Sequence, residues 1–250
     1  MSATSFDQLA PNKVARIAGG FYLAFILASV LATVFGRIGM GDAQDIYEAI
    51  AANEWMFRLG LVSALTSALL FLLAAWGLYV LLRRVNQQLA LLFLLLNAVG
   101  VSIQCASTLP LLSALLQNDV ASNMQGFSAS QLQGLAYLSI GVSKTGLDTA
   151  QLFFGTWLFP LGYLVYKSKF LPRFLGVLLL LDGIGVLVWF LQATLLPAYP
   201  AISYPSFVLG FIAEVGLALW LLVKGVRDVN SAAGQPRPDS PSHIGGSPAV

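Results

Sequence analysis

Four ionisable side chains fall inside, or at the edge of, long apolar stretches: Lys144, Asp148, Asp182 and Glu214. A charge at the centre of a bilayer costs about 3 kcal/mol on insertion scales, so each is a functional candidate by default. Lys144, Asp148 and Gln151 are spaced i, i+4, i+7 and share a helical face with Gly155 and Gly162. Lipid offers that stripe nothing, so it must turn inward. There the lysine and aspartate either pair with each other across one turn or form the mouth of a polar cavity that admits a small charged ligand from outside.

Asp182 lies about 12 Å from the inner end of its apolar stretch, at about 1.5 Å per residue. Asn97 lies at a similar depth on an earlier stretch, and Glu214 slightly deeper on the last one. No cation stands at that level, because Lys144 is near the opposite surface. Carboxyls without a counter-ion in a low-dielectric layer are expected to hold their protons. Two chemistries follow. Asn97, Gln104, Asp182 and Glu214 form a neutral hydrogen-bonded cluster that fixes helix register, or they form a proton or cation site whose carboxyls change protonation during transport.

Other chemistries are excluded by what is missing. Cys105 is the single cysteine and His243 the single histidine. That removes a disulfide framework, thiolate or histidine metal sites, haem ligation and imidazole acid–base catalysis. No phosphate-binding loop, dinucleotide fingerprint or nucleophile elbow is present, and Gly39-Met40-Gly41 lacks the context of one. No catalytic residue, metal ligand or cofactor-binding residue is therefore assigned, and no cofactor is expected. An intramembrane enzyme would have only serines and Lys144 to work with. Basic residues are too few in each loop for nucleic-acid binding.

The elements that must position the polar groups are membrane helices. Of 250 residues, 58% are hydrophobic and only 10% charged, whereas a soluble domain carries about 25% charged residues. Apolar runs long enough to cross a bilayer recur, which predicts an all-α, polytopic bundle of six spans. These are Arg16–Gly36, Trp55–Leu82, Leu89–Leu116, a fourth ending at Tyr166, Phe174–Leu196 and Ser206–Val223. The basic residues before the first apolar run imitate a signal peptide, but the run is too long and is read as a retained first helix. The loop Arg37–Glu54 should contain a short surface helix capped by Asp42 or Asp45. Pro110 should kink the third span. Ser128 or Ser130 should cap the helix before the fourth. As one helix, Gln131–Tyr166 would be about 54 Å long against a hydrocarbon core of about 30 Å. It must project from the bilayer or break near Gly141 or Gly146, with its membrane part starting near Lys144.

Orientation follows from the basic residues. With the N-terminus inside, Lys13, Arg16, Arg83, Arg84, Lys167, Lys169, Arg173, Lys224, Arg227 and Arg237 all fall on the cytoplasmic side, and only Arg37 and Arg58 fall outside. The expected organisation is a cytoplasmic segment 1–15, a six-helix transmembrane domain 16–226 and a disordered cytoplasmic tail 227–250. Trp55, Tyr199 and Tyr204 outside, and Trp76, Tyr79, Tyr166 and Trp220 inside, make interfacial belts. Trp157 and Trp189 lie deeper and are read chiefly as core packing, with cavity lining the other option.

One offset along the chain aligns Gly77 with Gly162, the Arg83–Arg84 turn with Lys167–Lys169, Asn97 with Asp182, and Gly100-Val101 with Gly185-Val186. Such a match would be a parallel duplication of a helical hairpin. Arg16-Ile17-Ala18-Gly19, Phe153-Phe154-Gly155, Leu161-Gly162-Tyr163, Ser168 and Pro172-Arg173-Phe174-Leu175-Gly176 together resemble a bacterial family of six-span membrane proteins known as domain-of-unknown-function family 4386. The resemblance covers nearly all of the chain except the tail and implies the architecture without a mechanism. Members of that family often carry a histidine shortly before the Phe-Phe-Gly element. Here Ser143-Lys144-Thr145-Gly146 stands there, so no imidazole role carries over.

The expected protein is thus a multi-pass integral protein of the bacterial cytoplasmic membrane. Its partners are the lipid bilayer and a small molecule or proton, bound or transported in a polar cavity between the last four spans. The alternative is a structural or regulatory membrane subunit with no transport or catalytic activity. Nucleic acid is not a partner, and oligomeric state is not readable.

Overall fold

A computed structural model describes residues 10–120 and 127–226. The expected disordered tail, with Arg227, Arg237 and His243, and most of the polar loop before Phe127 lie outside the described residues. Eight α-helices follow in order: α1 Pro11–Gly36, α2 Ala43–Ala52, α3 Glu54–Leu82, α4 Gln87–Ser107, α5 Leu109–Val120, α6 Ala129–Lys167, α7 Arg173–Leu195 and α8 Tyr204–Leu219. A 3₁₀ turn, Pro200–Ser203, precedes α8, and a π turn, Trp220–Lys224, extends it. No strand occurs among the described residues.

Five stretches are long and apolar enough to cross a membrane: Pro11–Gly36, Glu54–Leu82, Gln87–Leu116, Arg173–Leu195 and Pro200–Lys224. Their outward faces carry leucine, valine and phenylalanine at high exposure, such as Leu27, Val62, Leu95, Leu181 and Phe211. That is how a chain is built when its solvent is hydrocarbon.

Local signals set the helix ends. Asp42 caps α2 by accepting from the Asp45 backbone N–H at 2.8 Å, while Asp45 accepts in return from Asp42. Ser128 caps α6 in the same reciprocal way with Gln131. Asn53 and Asn86 cap α3 and α4. The third stretch breaks at Thr108, two residues before Pro110, into α4 and α5. The proline cannot supply the N–H that would carry the hydrogen-bond ladder through.

α6 does not break. It runs unbroken through Gly141, Gly146 and Pro160 for 39 residues, about 58 Å at about 1.5 Å per residue. Its first part packs with α2 and α5 in a separate core of Ile46, Ile50, Leu111, Leu115, Ala136 and Ile140, with Tyr47 stacked on Tyr137.

The six long helices close into a ring in chain order: α1 packs on α3, α3 on α4, α4 on α6, α6 on α7, α7 on α8, and α8 back on α1. Small residues set the tightest seams. A Cβ on Gly77 would meet Ala18 Cβ at 2.7 Å, one on Gly60 would meet Gly36 N at 2.9 Å, and one on Gly176 would meet Tyr166 N at 2.6 Å. Without a hydrophobic drive between helices in lipid, such backbone approach is what supplies dispersion contact. The ring is fastened at its basic end, where the Val226 backbone N–H donates to Asn12 Oδ1 at 2.8 Å.

Candidate functional site

Inside the ring, the end that carries the inter-helix turns with Lys167 and Arg173 is solid. Leu78, Leu82, Leu161, Leu164, Leu175 and Leu217 are all buried there. Towards the other end the centre opens into a cavity of about 840 Å³. Its mouth is formed by Gly41, Asp42 and Asp45 at the start of α2 and by Lys144 and Asp148 on α6. Its walls include Ser29 of α1, Gln104 of α4, Gln151 of α6, Trp189 and Gln192 of α7, and Phe207 of α8. Its deepest groups are Asp182 of α7 and Glu214 of α8, beside an aromatic floor from Phe25, Phe71 and Trp157. Phe25 stacks on Phe71 at 4.2 Å, and Phe71 meets Trp157 edge-on at 5.1 Å.

Asp182 is fully buried, and neither carboxyl oxygen has a hydrogen-bond partner among the described residues. It fits because α8 presents Gly210 opposite: a Cβ there would stand 2.9 Å from Asp182 Oδ1. Glu214 follows Gly210 by one helical turn, so both face the same side of α8. Glu214 is partly exposed and stands close enough to Asp182 for the two carboxyls to interact electrostatically. The buried Tyr22 of α1 sets its hydroxyl beside Glu214 without closing a hydrogen bond of standard geometry.

The sequence candidates divide accordingly. Gln104, Lys144, Asp148, Gln151, Asp182 and Glu214 line one cavity; Asn97 does not. Asn97 is fully buried on α4 with neither amide atom partnered among the described residues, on the helix that packs against α3 and α6 rather than α7. The hydrogen-bonded cluster in which Asn97 would hold Asp182 is therefore not assembled.

At the mouth, Lys144 does not close a contact ion pair with Asp148. Its ammonium reaches across to the Gly41 carbonyl at 3.4 Å, while the ion pair formed on the same end is Arg58–Glu54 at 2.6 Å. An exposed i, i+4 pair is worth only about 0.3–0.5 kcal/mol, too little to hold a long side chain that has another acceptor in reach. Trp157 both packs in the core and lines the cavity, and Trp189 lines it while packing edge-on against Phe207 at 4.7 Å.

Several groups were not read from the sequence as part of a site: Tyr22, expected only on the packed face of the first span, stands beside Glu214; Phe25 and Phe71 form the floor; and Asp42 and Asp45, expected only as caps, lie at the mouth. The usable signal was spacing. Tyr22, Phe25 and Ser29 follow i, i+3, i+7 on α1, and Gly210 precedes Glu214 by four.

Compared with known proteins, residues 17–225 match the family described as "Domain of unknown function (DUF4386)". An uncharacterized protein of Archaeoglobus fulgidus is 33% identical over 84 residues, which is 32% of this chain and 46% of that protein. The match thus spans about half the length of that relative. No solved structure matches.

Proposed function

The chain belongs to the DUF4386 family, and from that premise we propose that it is a ligand-binding or transporting protein of the bacterial cytoplasmic membrane. Its ring would cross the bilayer six times, with α6, from about Lys144 to Tyr166, adding the fourth crossing in chain order to the five apolar stretches. α6 is poorer in apolar residues than the other five because it lines a polar cavity and gives neighbours, rather than lipid, much of its surface. The hydrogen bond between Asn12 and Val226 supports an even number of crossings, since an odd number would leave those residues on opposite sides. The basic residues at that end favour the cytoplasm.

A single observation carries the functional reading: Asp182 and Glu214 share a void that reaches Lys144 and Asp148 at one end of the ring. A structural or regulatory subunit would cap those carboxyls with Asn97 or Gln104 and leave no space. Here Asp182 is uncapped, and the volume lies within the roughly 300–1,000 Å³ typical of ligand sites. The cavity holds a small molecule or a proton relay in a position where a change in protonation or occupancy meets little competing solvent.

The test is purified protein in proteoliposomes, assayed for proton flux, with a native mass spectrum taken for co-purified ligand. Flux or a retained ligand that disappears in Asp182→Asn plus Glu214→Gln supports the reading. The same flux and the same ligand in wild type and double variant would remove it.

A further inference from the structure

We propose that the cavity takes an organic cation, an ammonium group carried on an aryl or alkyl body. The proposal rests on the ligand-binding reading above and names the class of ligand. Charge is the first argument. Asp42, Asp45, Asp148, Asp182 and Glu214 line the cavity against one basic side chain, Lys144, so an anion entering it meets like charge at the mouth and finds no basic partner at the floor. Asp182 supplies a second, independent indication: it is fully buried at the cavity wall with both oxygens unpartnered. A buried polar group left without a partner costs about 1–3 kcal/mol, and a ligand N–H or ammonium would recover that cost.

The walls select the body of the ligand. Phe25, Phe71, Phe154 and Trp157 gather at the floor, and Trp189 with Phe207 forms a side wall. Aromatic faces attract cations, most strongly where water is excluded. A bare metal ion suits the site poorly. Hard cations require six or more oxygen ligands at short range, and among the described residues no three histidine, cysteine or acidic side chains gather to hold one. The space is also far larger than an ion. An ammonium with a ring or chain attached fits both parts: its charge is set against Asp182 and Glu214, and its body against the aromatic floor.

The test uses the full chain in detergent and isothermal titration with two probes of similar size, benzylammonium, which carries N–H donors, and benzenesulfonate. Benzylammonium should bind and benzenesulfonate should not. Asp182→Asn plus Glu214→Gln should weaken the ammonium by about thirtyfold or more, as for a buried charge pair that loses one side. Trp189→Leu, at a partly exposed wall position, should weaken it about fivefold by loss of a cation–π contact, and it serves if the double variant fails to fold. Ammonium binding unchanged in both variants overturns the proposal. Binding of benzenesulfonate instead overturns the cation assignment and leaves the ligand-binding reading standing; binding of neither probe overturns both.

Discussion

Asn97 and Asp182 occupy matching places in the two hairpins that share an internal offset, and both are fully buried with their polar atoms unpartnered among the described residues. Their surroundings differ. Asn97 sits in a seam of α4 that packs against α3 and α6, whereas Asp182 lines the central cavity opposite Gly210 and near Glu214. The matching glycines diverge in the same way: Gly77 meets Ala18 of α1, while Gly162 meets Gly176 of α7. Equal depth and equal polarity therefore do not make equal sites. What separates the seam amide from the candidate binding carboxyl is that only the carboxyl borders the cavity.

The comparison can be broken or sharpened by substitution. The largest effect should come from Asp182→Asn with Glu214→Gln, which should abolish uptake or binding in reconstituted vesicles while Asn97→Leu leaves it intact. Equal losses from both would erase the distinction. Next, Gly210→Ala should reduce ligand affinity about tenfold, equivalent to about 1.4 kcal/mol, because the new methyl displaces the Asp182 carboxyl. Its thermal unfolding should hold or rise, since alanine is the better helix former by about 1 kcal/mol. A large fall in melting temperature would mean that Gly210 serves packing instead. Lys144→Met should alter affinity only about threefold, as for a partly solvated rim charge, with a tenfold change marking the lysine as a direct ligand group. Smallest of all, Asn97→Leu should shift unfolding free energy by no more than about 1 kcal/mol, and upward, because an apolar isostere has no unmet hydrogen bonds. Strong destabilisation would show that the amide has work to do in the seam.

Much of the frame was legible because it is local. The Asp42 and Ser128 caps, the short helix α2 and the break beside Pro110 each depend on a few adjacent residues. The long apolar runs are set by composition, and the inward turn of Gln104, Asp148 and Gln151 by helical period. Which helix meets which was not legible. Periodicity identifies the face of α4 that Asn97 lies on, but not that α6 stands between α4 and α7. The closure of α8 onto α1 joins residues at opposite ends of the sequence, and it is this closure that brings Tyr22 to Glu214. The Lys144–Asp148 pairing failed as a contact for an energetic reason: helical spacing permits the pair, but its small gain does not hold a flexible, exposed ammonium that also reaches the Gly41 carbonyl.

α6 passes from the Asp45 side of the cavity to Lys167 without a hinge, and Gly155 and Gly162 seat it hard against α7. A helix seated in this way shifts as a unit more readily than it bends at that seam. A molecule bulky enough to wedge the Lys144 segment of α6 away from α2 would therefore be felt along the α6–α7 seam, well beyond the cavity.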